Sequence, residues 1–315
     1  MIKTAEFVTP KHPDKVCDFI ADSILDEYLK QDPDSRVAVE VMGGHGHITV
    51  SGEITSKGQV DIEKLVHLIV GANFQVNVFA TRQSPEIAHG VDAGGAGDQG
   101  IMVGFACHET PSLMPLEYEL ARNLCKNIYQ KFLVDGKVQI TVDIETKKIQ
   151  TVVASFQNTK SDELLKLVKQ FVLAKEYLVN PAGEWRIGGF DADSGISGRK
   201  IAMDSYGPNV SIGGGSFSGK DYTKVDRSGA YMARKIAIDL IKKNHAKEAL
   251  VKLAYAIGKP NPVMSTIILD SIIVPVPTNY DLTPKGIKML LKLDKAIFAQ
   301  TSQWGHFGRG FAWDK

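Results

Sequence analysis

The spacing of apolar residues in this chain switches between helical and alternating in three successive stretches. The first stretch predicts a helix, two strands, a helix and a strand, at residues 13–30, 37–42, 47–53, 60–70 and 74–80. The glycines at 43, 44 and 46 favour a tight turn between the paired strands. A chain that begins in this way must cover a small sheet with helices.

A similar order recurs twice further along the chain. The second stretch predicts a strand, a helix, two strands and a helix, at residues 101–107, 116–132, 138–144, 149–156 and 161–174. The third predicts a helix, two strands and a helix, at residues 228–243, 249–257, 264–273 and 284–293. Each stretch favours a sheet with helices on one face, so we expect an α+β protein with three domains, at residues 1–86, 95–187 and 188–315.

Composition narrows the class of protein. The chain has 315 residues, 43% of them hydrophobic, and a formal net charge of +1, which are typical of a soluble globular protein. Balanced charge gives no broad field to attract nucleic acid or an anionic membrane, so neither partner is expected. The N-terminal residues contain no apolar signal segment, and no apolar run is long enough for a spanning helix.

The cysteines indicate the cellular compartment. Cys17, Cys107 and Cys125 are an odd number without a CxxC pair, which favours a reducing compartment over a disulfide framework or a zinc ribbon. We therefore expect a cytoplasmic protein.

Residues 187–229 are rich in glycine, interleaved with acidic and basic residues that a flexible linker does not need. Glycine lets a backbone approach a ligand closely. The segment 213–220 ends in Lys220 but is not a Walker A loop, because Asp221 follows the lysine instead of serine or threonine. A solvated surface loop is one interpretation; a phosphate and Mg²⁺ site using Lys220, Lys224 and Asp226 is the other.

The residues His12, Pro13, Asp14 and Lys15 lie at the predicted start of the first helix, where anions are favoured. A simple helix cap is the alternative interpretation. Asp18, Asp22 and Asp26 continue the spacing of four from Asp14, and we expect these three to form a solvated stripe.

Two weaker motifs leave alternatives open. Residues 95–100 (GAGDQG) place Asp98 in a glycine loop before a strand, which is compatible with a turn or a ligand site. His45 and His47 fall at a tight hairpin, where exposed polar residues are more common than metal ligands, so no zinc site is expected.

Four segments together resemble the signature segments of the S-adenosylmethionine synthetase (methionine adenosyltransferase) family. They are 12–15 (HPDK), 95–100 (GAGDQG), 195–200 (GISGRK) and 213–228 (GGGSFSGKDYTKVDRS). The resemblance extends from Glu6 to residues 304–309 (WGHFGR), in the family's order. It implies three interlaced α+β domains of similar topology, each a mixed sheet with helices on one face, and the condensation of ATP with L-methionine.

The resemblance also implies partners, cofactors and site residues. The assembly would be a homodimer with active sites at the subunit interface, either alone or paired into a tetramer, and the ions would be Mg²⁺ and K⁺. Catalysis would depend on His12, Lys137, Arg199, Lys200 and Lys220. The ATP site would use these residues together with Asp135, Trp185, Asp193 and Ser216.

Methionine would be bound by Glu53, Gln83, Asp98, Asp193, Lys224 and Ile257. Asp14 and Asp226 would bind Mg²⁺, and Glu40 would bind K⁺. The segment between Gln83 and Asp98 resembles the family's gating loop but is shorter, so we expect a more open site that accepts bulkier S-alkyl groups than that of methionine.

Two other functions remain as alternatives. The first is another ATP-dependent transferase or a kinase, although the sequence contains no Walker A or kinase motif set. The second is a non-catalytic paralogue that has kept the fold. The joint presence of six of the implied site residues argues against this loss of activity: His12, Asp14, Lys137, Arg199, Lys220 and Asp226.

Overall fold

The structure, a computed structural model, describes residues 1–84 and 94–315. Most of the segment between Gln83 and Asp98 therefore lies outside the described residues, and the expectation of a more open site stays a prediction. Among the described residues, no helix has both the length and the apolar character needed to cross a membrane.

The described residues form twelve strands, eight α-helices and two short 3₁₀ turns. The strands are β1 (Ile2–Val8), β2 (Arg36–Gly44), β3 (His47–Thr55), β4 (Gln75–Thr81), β5 (Gly100–Cys107), β6 (Gly136–Asp143), β7 (Lys148–Phe156), β8 (Ala174–Val179), β9 (Gly195–Ile196), β10 (Glu248–Tyr255), β11 (Met264–Leu269) and β12 (Ile272–Val274). The helices are α1 (Pro13–Gln31), α2 (Ile62–Val70), α3 (Leu116–Phe132), α4 (Ser161–Phe171), α5 (Ile201–Asp204), α6 (Val225–Asn244), α7 (Pro284–Leu291) and α8 (Phe298–Thr301). The 3₁₀ turns are Gly189–Asp191 and Ala312–Asp314.

The strands make three four-stranded sheets, ordered β1-β6-β7-β8, β4-β3-β2-β9 and β12-β11-β10-β5. Each sheet takes a strand from a distant part of the chain. Phe7 on β1 lies opposite Val138 on β6, Met42 on β2 opposite Ile196 on β9, and Val103 on β5 opposite Lys252 on β10. The three α+β units are therefore interlaced.

Strand direction differs among the sheets. The β3–β4 and β7–β8 pairs are parallel within otherwise antiparallel sheets, so these two sheets are mixed. In the third sheet, all pairs between the described strands are antiparallel.

Helix α6 is the most buried of the long helices and packs along β5 and β10. At the crossing with β5, a Cβ atom on Gly104 would lie only 2.0 Å from the carbonyl carbon of Ala233, so only glycine permits this approach. The C-terminal segment closes the core, since Trp313 stacks on Tyr231 with ring centroids 3.8 Å apart. The resulting core is continuous across the three sheets.

Most of the expected helices and strands are confirmed, with shifts of a few residues at their ends. Strands β1, β8 and β9 and the short helices α5 and α8 were not expected. The predicted helix 161–174 ends at Phe171, because Val172 adopts an extended conformation and the chain turns into β8. The predicted strand 264–273 is divided into β11 and β12, because Asp270 and Ser271 adopt positive φ angles of 48° and 71°.

Candidate active site

The start of α1 is shaped by its capping residue. His12 precedes the helix in an extended conformation, and its Nδ1 accepts a hydrogen bond from the Asp14 N–H at 3.2 Å. Pro13 occupies the first helical position, where its missing N–H is not needed. Because Nδ1 is the acceptor, the neutral ring carries its proton on Nε2, which is left as a donor.

Asp14 is fully buried and is the centre of a cationic cluster. Its carboxylate accepts a bond from Arg199 Nε at 2.8 Å and one from the Lys200 ammonium, and the Ile196 N–H donates to it at 3.0 Å. Strand β9 reaches the helix because Gly195 has no side chain, since a Cβ there would lie 2.3 Å from the Pro13 carbonyl. The two basic residues of the glycine segment 195–200 are thus held at the start of α1.

Charge and burial set the protonation states of His12 and Asp14. Burial, together with the positive charge of Lys200, lowers the pKa of His12 to about 4, so the ring is neutral at physiological pH. The charges of Asp193 and Lys137 also act on this ring, so both predicted residues lie within electrostatic range of it. Burial alone would raise the pKa of Asp14, but hydrogen bonds from Lys200, Ile196 and Arg199 lower it.

A second cluster lies at the start of α6. Lys220 Nζ donates to Asp226 Oδ2 at 2.7 Å, and both side chains are mostly buried. A side chain at Gly215 would collide with the Asp226 carboxylate, because its Cβ would lie 1.9 Å from Cγ. The triple-glycine segment therefore packs directly against this carboxylate, as a close backbone approach requires.

Glu40 joins the second cluster from β2. Its carboxylate accepts a hydrogen bond from the Ser197 hydroxyl, and the charges of Lys220 and Asp226 act on it. Lys220 itself bridges to Ala38 on the same strand. The predicted K⁺ ligand and the predicted Mg²⁺ ligand Asp226 are thus neighbours.

Lys137 and Asp135 approach the first cluster from the β1-β6-β7-β8 sheet. Lys137 is half-exposed and pairs with Glu6 Oε2 at 2.5 Å across the β1–β6 ladder. Asp135 is buried, and its Oδ2 accepts the Gly189 N–H at 2.9 Å. Burial raises the pKa of Asp135, and the charge of Asp193 adds to this rise.

The remaining predicted nucleotide residues make local contacts. Asp193 is exposed, and its Oδ1 accepts the Ser194 N–H at 2.8 Å. Trp185 is half-buried, and its carbonyl accepts the Asn158 N–H at 2.9 Å. Ser216 packs on Gly198, where a Cβ would lie 2.4 Å from the serine Cβ.

The residues predicted for methionine fall into two groups. Asp98, Lys224 and Ile257 are near each other, because the loop before β5 is held by backbone bonds from Gly97 to Thr223 and from Ala96 to Lys259. Within this group Lys224 Nζ donates to Asp221 Oδ2 at 2.6 Å. The structure leaves Ile257 half-exposed.

Glu53 and Gln83 form the second group, at the end of β3 and just after β4. Glu53 is exposed and lies opposite Thr81, two residues before Gln83. Among the contacts of the described residues, none joins this pair directly to the first group.

The expected solvated stripe on α1 is wrong. Asp18 and Asp22 have no exposed surface, and Asp26 is 7% exposed. Their carboxylates accept backbone N–H groups from Gly198 at 2.7 Å, Gly219 at 2.8 Å, and Phe298 and Ala299 at 2.9 Å each. Buried carboxylates need such partners, and these come from segments about 180 to 270 residues away.

Lys15, Asp204 and Arg227 support the clusters, although the sequence analysis gave none of them a role in the site. Lys15 is buried between Asp18 at 2.9 Å and Asp204 at 2.5 Å. Arg227 makes a two-pronged pair with Asp22, at 2.7 and 2.8 Å. The only sequence signal for Lys15 and Arg227 was their place inside the quoted motifs.

Two of these carboxylates, Asp14 and Asp226, suit metal ions that are shared with substrate phosphates. Within residues 1–84 and 94–315, no three histidine, cysteine or acidic side chains are grouped closely enough to hold an ion unaided. Mg²⁺ is commonly bound by one or two carboxylates together with substrate phosphates and water. Asp14 and Asp226 fit this pattern, because each presents hard oxygen ligands beside a lysine, and lysine commonly binds phosphate.

Comparison with known proteins identifies the family of this chain. The model of the S-adenosylmethionine synthetase N-terminal domain matches residues 1–79, that of the central domain 93–185, and that of the C-terminal domain 187–315.

Three curated relatives are named S-adenosylmethionine synthase. They come from Brachyspira hyodysenteriae (37% identical, covering 99% of this chain and 95% of the relative), Deinococcus deserti (39%, 99% and 96%) and Parafrankia sp. (39%, 99% and 95%). The first alignment spans 374 positions, more than the 315 residues of this chain, so that relative carries residues that this chain lacks. The three domain matches follow one another along nearly the whole chain, and this chain belongs to the S-adenosylmethionine synthetase family.

Proposed function

We propose that this chain synthesises S-adenosyl-L-methionine from ATP and L-methionine by direct attack of the methionine sulfur on C5′ of ATP. The observation that carries the proposal is the cluster at the start of α1, where Arg199 and Lys200 converge on buried Asp14 beside neutral His12. This arrangement suits a reaction in which negative charge gathers on a departing polyphosphate.

The bond changes require no general base. A sulfur lone pair forms the S–C5′ bond while the C5′–O bond breaks, and its electron pair leaves with the triphosphate. The thioether gives up no proton, so the protein must align the reactants and stabilise the leaving group. The Nε2–H of His12 would donate to the bridging oxygen, and Lys137, Arg199, Lys200 and Lys220 would bind the phosphates.

The ions would complete this charge balance. When bound at Asp14 and Asp226, Mg²⁺ would neutralise phosphate charge, and K⁺ would be held by Glu40. In the structure Lys200 and Lys220 neutralise the same two aspartates. Binding of ATP therefore redistributes these lysines toward phosphate. Water then cleaves the bound triphosphate to diphosphate and phosphate.

The remaining predicted residues are assigned to methionine or to the nucleotide. We assign Asp98, Lys224 and Ile257, with Glu53 and Gln83, to methionine. Asp135, Trp185, Asp193 and Ser216 are assigned to the nucleotide, and Asp193 is assigned to methionine as well.

A homodimer would unite the two groups. Glu40 and Glu53 share one face of the β4-β3-β2-β9 sheet, which also exposes the apolar side chains of Met42, Phe79 and Ile196. An exposed apolar patch rimmed by polar residues is typical of an interface. We propose that a second copy covers this face, in a dimer or a pair of dimers.

Two further features belong to the proposal. The chain would divide into consecutive domains at 1–86, 95–187 and 188–315, with strands exchanged between them. Its three cysteines are buried free thiols, which supports a reducing compartment and a cytoplasmic location.

The test is incubation of the purified chain with ATP, L-methionine, Mg²⁺ and K⁺, with product analysis by mass spectrometry. We expect a sulfonium product together with phosphate and diphosphate in equal amounts, and a control without methionine should give no sulfonium. Formation of ADP would favour the kinase alternative, and absence of any product would favour the non-catalytic paralogue.

A further inference from the structure

We propose that Asp18 and Asp22 of α1 are positioning residues for the reaction, because they hold the two glycine turns that present Arg199 and Lys220 to the polyphosphate. This inference rests on the proposed function. Neither aspartate contacts a substrate in this view. Each acts through the glycine that immediately precedes a cation.

The first turn is fixed by Asp18. The Asp18 Oδ1 accepts the Gly198 N–H at 2.7 Å, and Oδ2 lies 2.9 Å from the ammonium of Lys15. Gly198 has φ of +76°, in the left-handed region that side chains other than glycine rarely adopt. The carboxylate therefore stabilises an unusual backbone conformation one residue before Arg199.

The second turn is fixed by Asp22 in the same way. Its Oδ1 accepts the Gly219 N–H at 2.8 Å, and both oxygens bind Arg227. Gly219 has φ of +79°, and a Cβ there would lie 2.1 Å from the Val39 carbonyl oxygen. The next residue, Lys220, is consequently held between α1 and β2.

Asp18 and Asp22 lie one helical turn apart, and each accepts the N–H of a glycine that precedes a basic residue. This repetition argues for a common role. Residues at i and i+4 lie on one face of a helix, so a single rigid element sets the spacing of both cations. Long basic side chains lose conformational entropy when they bind phosphate, because several of their bonds can no longer rotate freely. Fixing their backbone reduces that loss, because the turn is already in its bound arrangement.

The same stripe provides a matched control. Asp26 is also buried and also accepts backbone N–H groups, from Phe298 and Ala299 at 2.9 Å each. Neither residue adjoins a group that we assign to a substrate. Asp26→Asn removes the same kind of interaction from the same helix, so it reports the structural cost alone.

The experiment compares Asp18→Asn, Asp22→Asn and Asp26→Asn with the unmodified full-length chain. Binding of the β,γ-imido analogue of ATP in the presence of Mg²⁺ is measured by calorimetry, and KM is measured for ATP and for methionine. We expect about tenfold weaker analogue binding and a similarly raised KM for ATP at positions 18 and 22, because small misplacements of charged groups are costly. The KM for methionine should change little, and Asp26→Asn should alter neither value.

The result that would overturn the positioning role is wild-type analogue binding by the Asp18 and Asp22 variants, or an equal loss in Asp26→Asn. Melting temperatures establish that each variant is folded. Should Asp22→Asn not fold without its arginine partner, Asp18→Asn decides alone. If the unmodified chain neither binds the analogue nor makes product, the proposed function fails and the positioning role falls with it.

Discussion

At the scale of single residues, each proposed phosphate or methionine lysine of the glycine-rich region has a buried carboxylate as its partner. Lys200 pairs with Asp14, Lys220 with Asp226 and Lys224 with Asp221. Removing one member of such a pair leaves an uncompensated buried charge, which is strongly destabilising. The substrate must therefore supply anionic groups that replace these carboxylates as it binds.

His12 is the clearest single-residue test. We expect His12→Ala to lower the turnover number by about 10²–10³ while weakening binding of the imido analogue much less, because a donor at the bridging oxygen matters mainly as charge develops there. Steady-state rates and calorimetric binding measure the two effects separately. Unchanged turnover would remove His12 from the catalytic residues.

Asp226 provides a test of metal binding. Asp226→Asn should raise the Mg²⁺ concentration needed for half-maximal rate, because the site loses both charge and a hard oxygen ligand. Asp239→Asn is a suitable control, since Asp239 is also paired with a lysine but lies on the outer part of α6. A Mg²⁺ titration that is the same for both variants would assign Asp226 a structural role.

At the scale of elements, α1 shows how far a pattern can be interpreted from sequence. Its apolar spacing and its proline predicted the helix within one residue of its observed end. The aspartates at 18, 22 and 26 were interpreted wrongly, because a regular acidic stripe has the same pattern whether water or distant backbone N–H groups satisfy it. The partners, Gly198, Gly219 and Phe298, are remote in sequence, so local periodicity contains no information about them.

The burial of Asp26 should make the free energy of unfolding depend on pH. Burial raises the pKa of Asp26 to about 6, although the N–H groups of Ala299 and Phe298 act in the opposite direction. The folded state therefore binds this proton more tightly than the unfolded state, whose pKa is near 4. Asp26 should contribute less to the free energy of unfolding as pH rises from about 4 to about 6.

Urea unfolding of the unmodified chain and of Asp26→Asn at several pH values between 4 and 7 checks this sign. The difference in the free energy of unfolding, wild type minus variant, should fall across that window and level off above it. A difference that rises with pH would mean that the two backbone bonds outweigh burial and that the carboxylate is favoured.

At the scale of the whole molecule, each sheet is completed by a strand from far along the chain. Sequence spacing predicted the three α+β units and most of their strands. It did not predict β1, β8 or β9. Strand β1 lacks a neighbouring hairpin partner, β8 is a short, partly exposed strand that pairs in parallel with β7, and β9 has only two residues. The candidate site was predicted as separate motifs, and their grouping depended on these long-range pairings.

The interlacing predicts how fragments behave. We expect residues 1–84 and 94–315, expressed separately, to lack cooperative thermal unfolding, because the first fragment loses β9 and the second loses β1 and the aspartates of α1. Coexpression should restore a single transition and copurification. A cooperative transition in either fragment alone would show that its sheets are stable without the missing strands.

The pairing of β1 with β6 also has a consequence for synthesis of the chain. Ribosomes add about 5–20 residues per second, so the N-terminal strand leaves the exit tunnel on the order of ten seconds before its partner exists. During that interval Phe7 and Val8, which are buried in the finished molecule, have no sheet to cover them. The nascent chain thus exposes an unpaired apolar strand early, and this segment stays uncovered until β6 emerges.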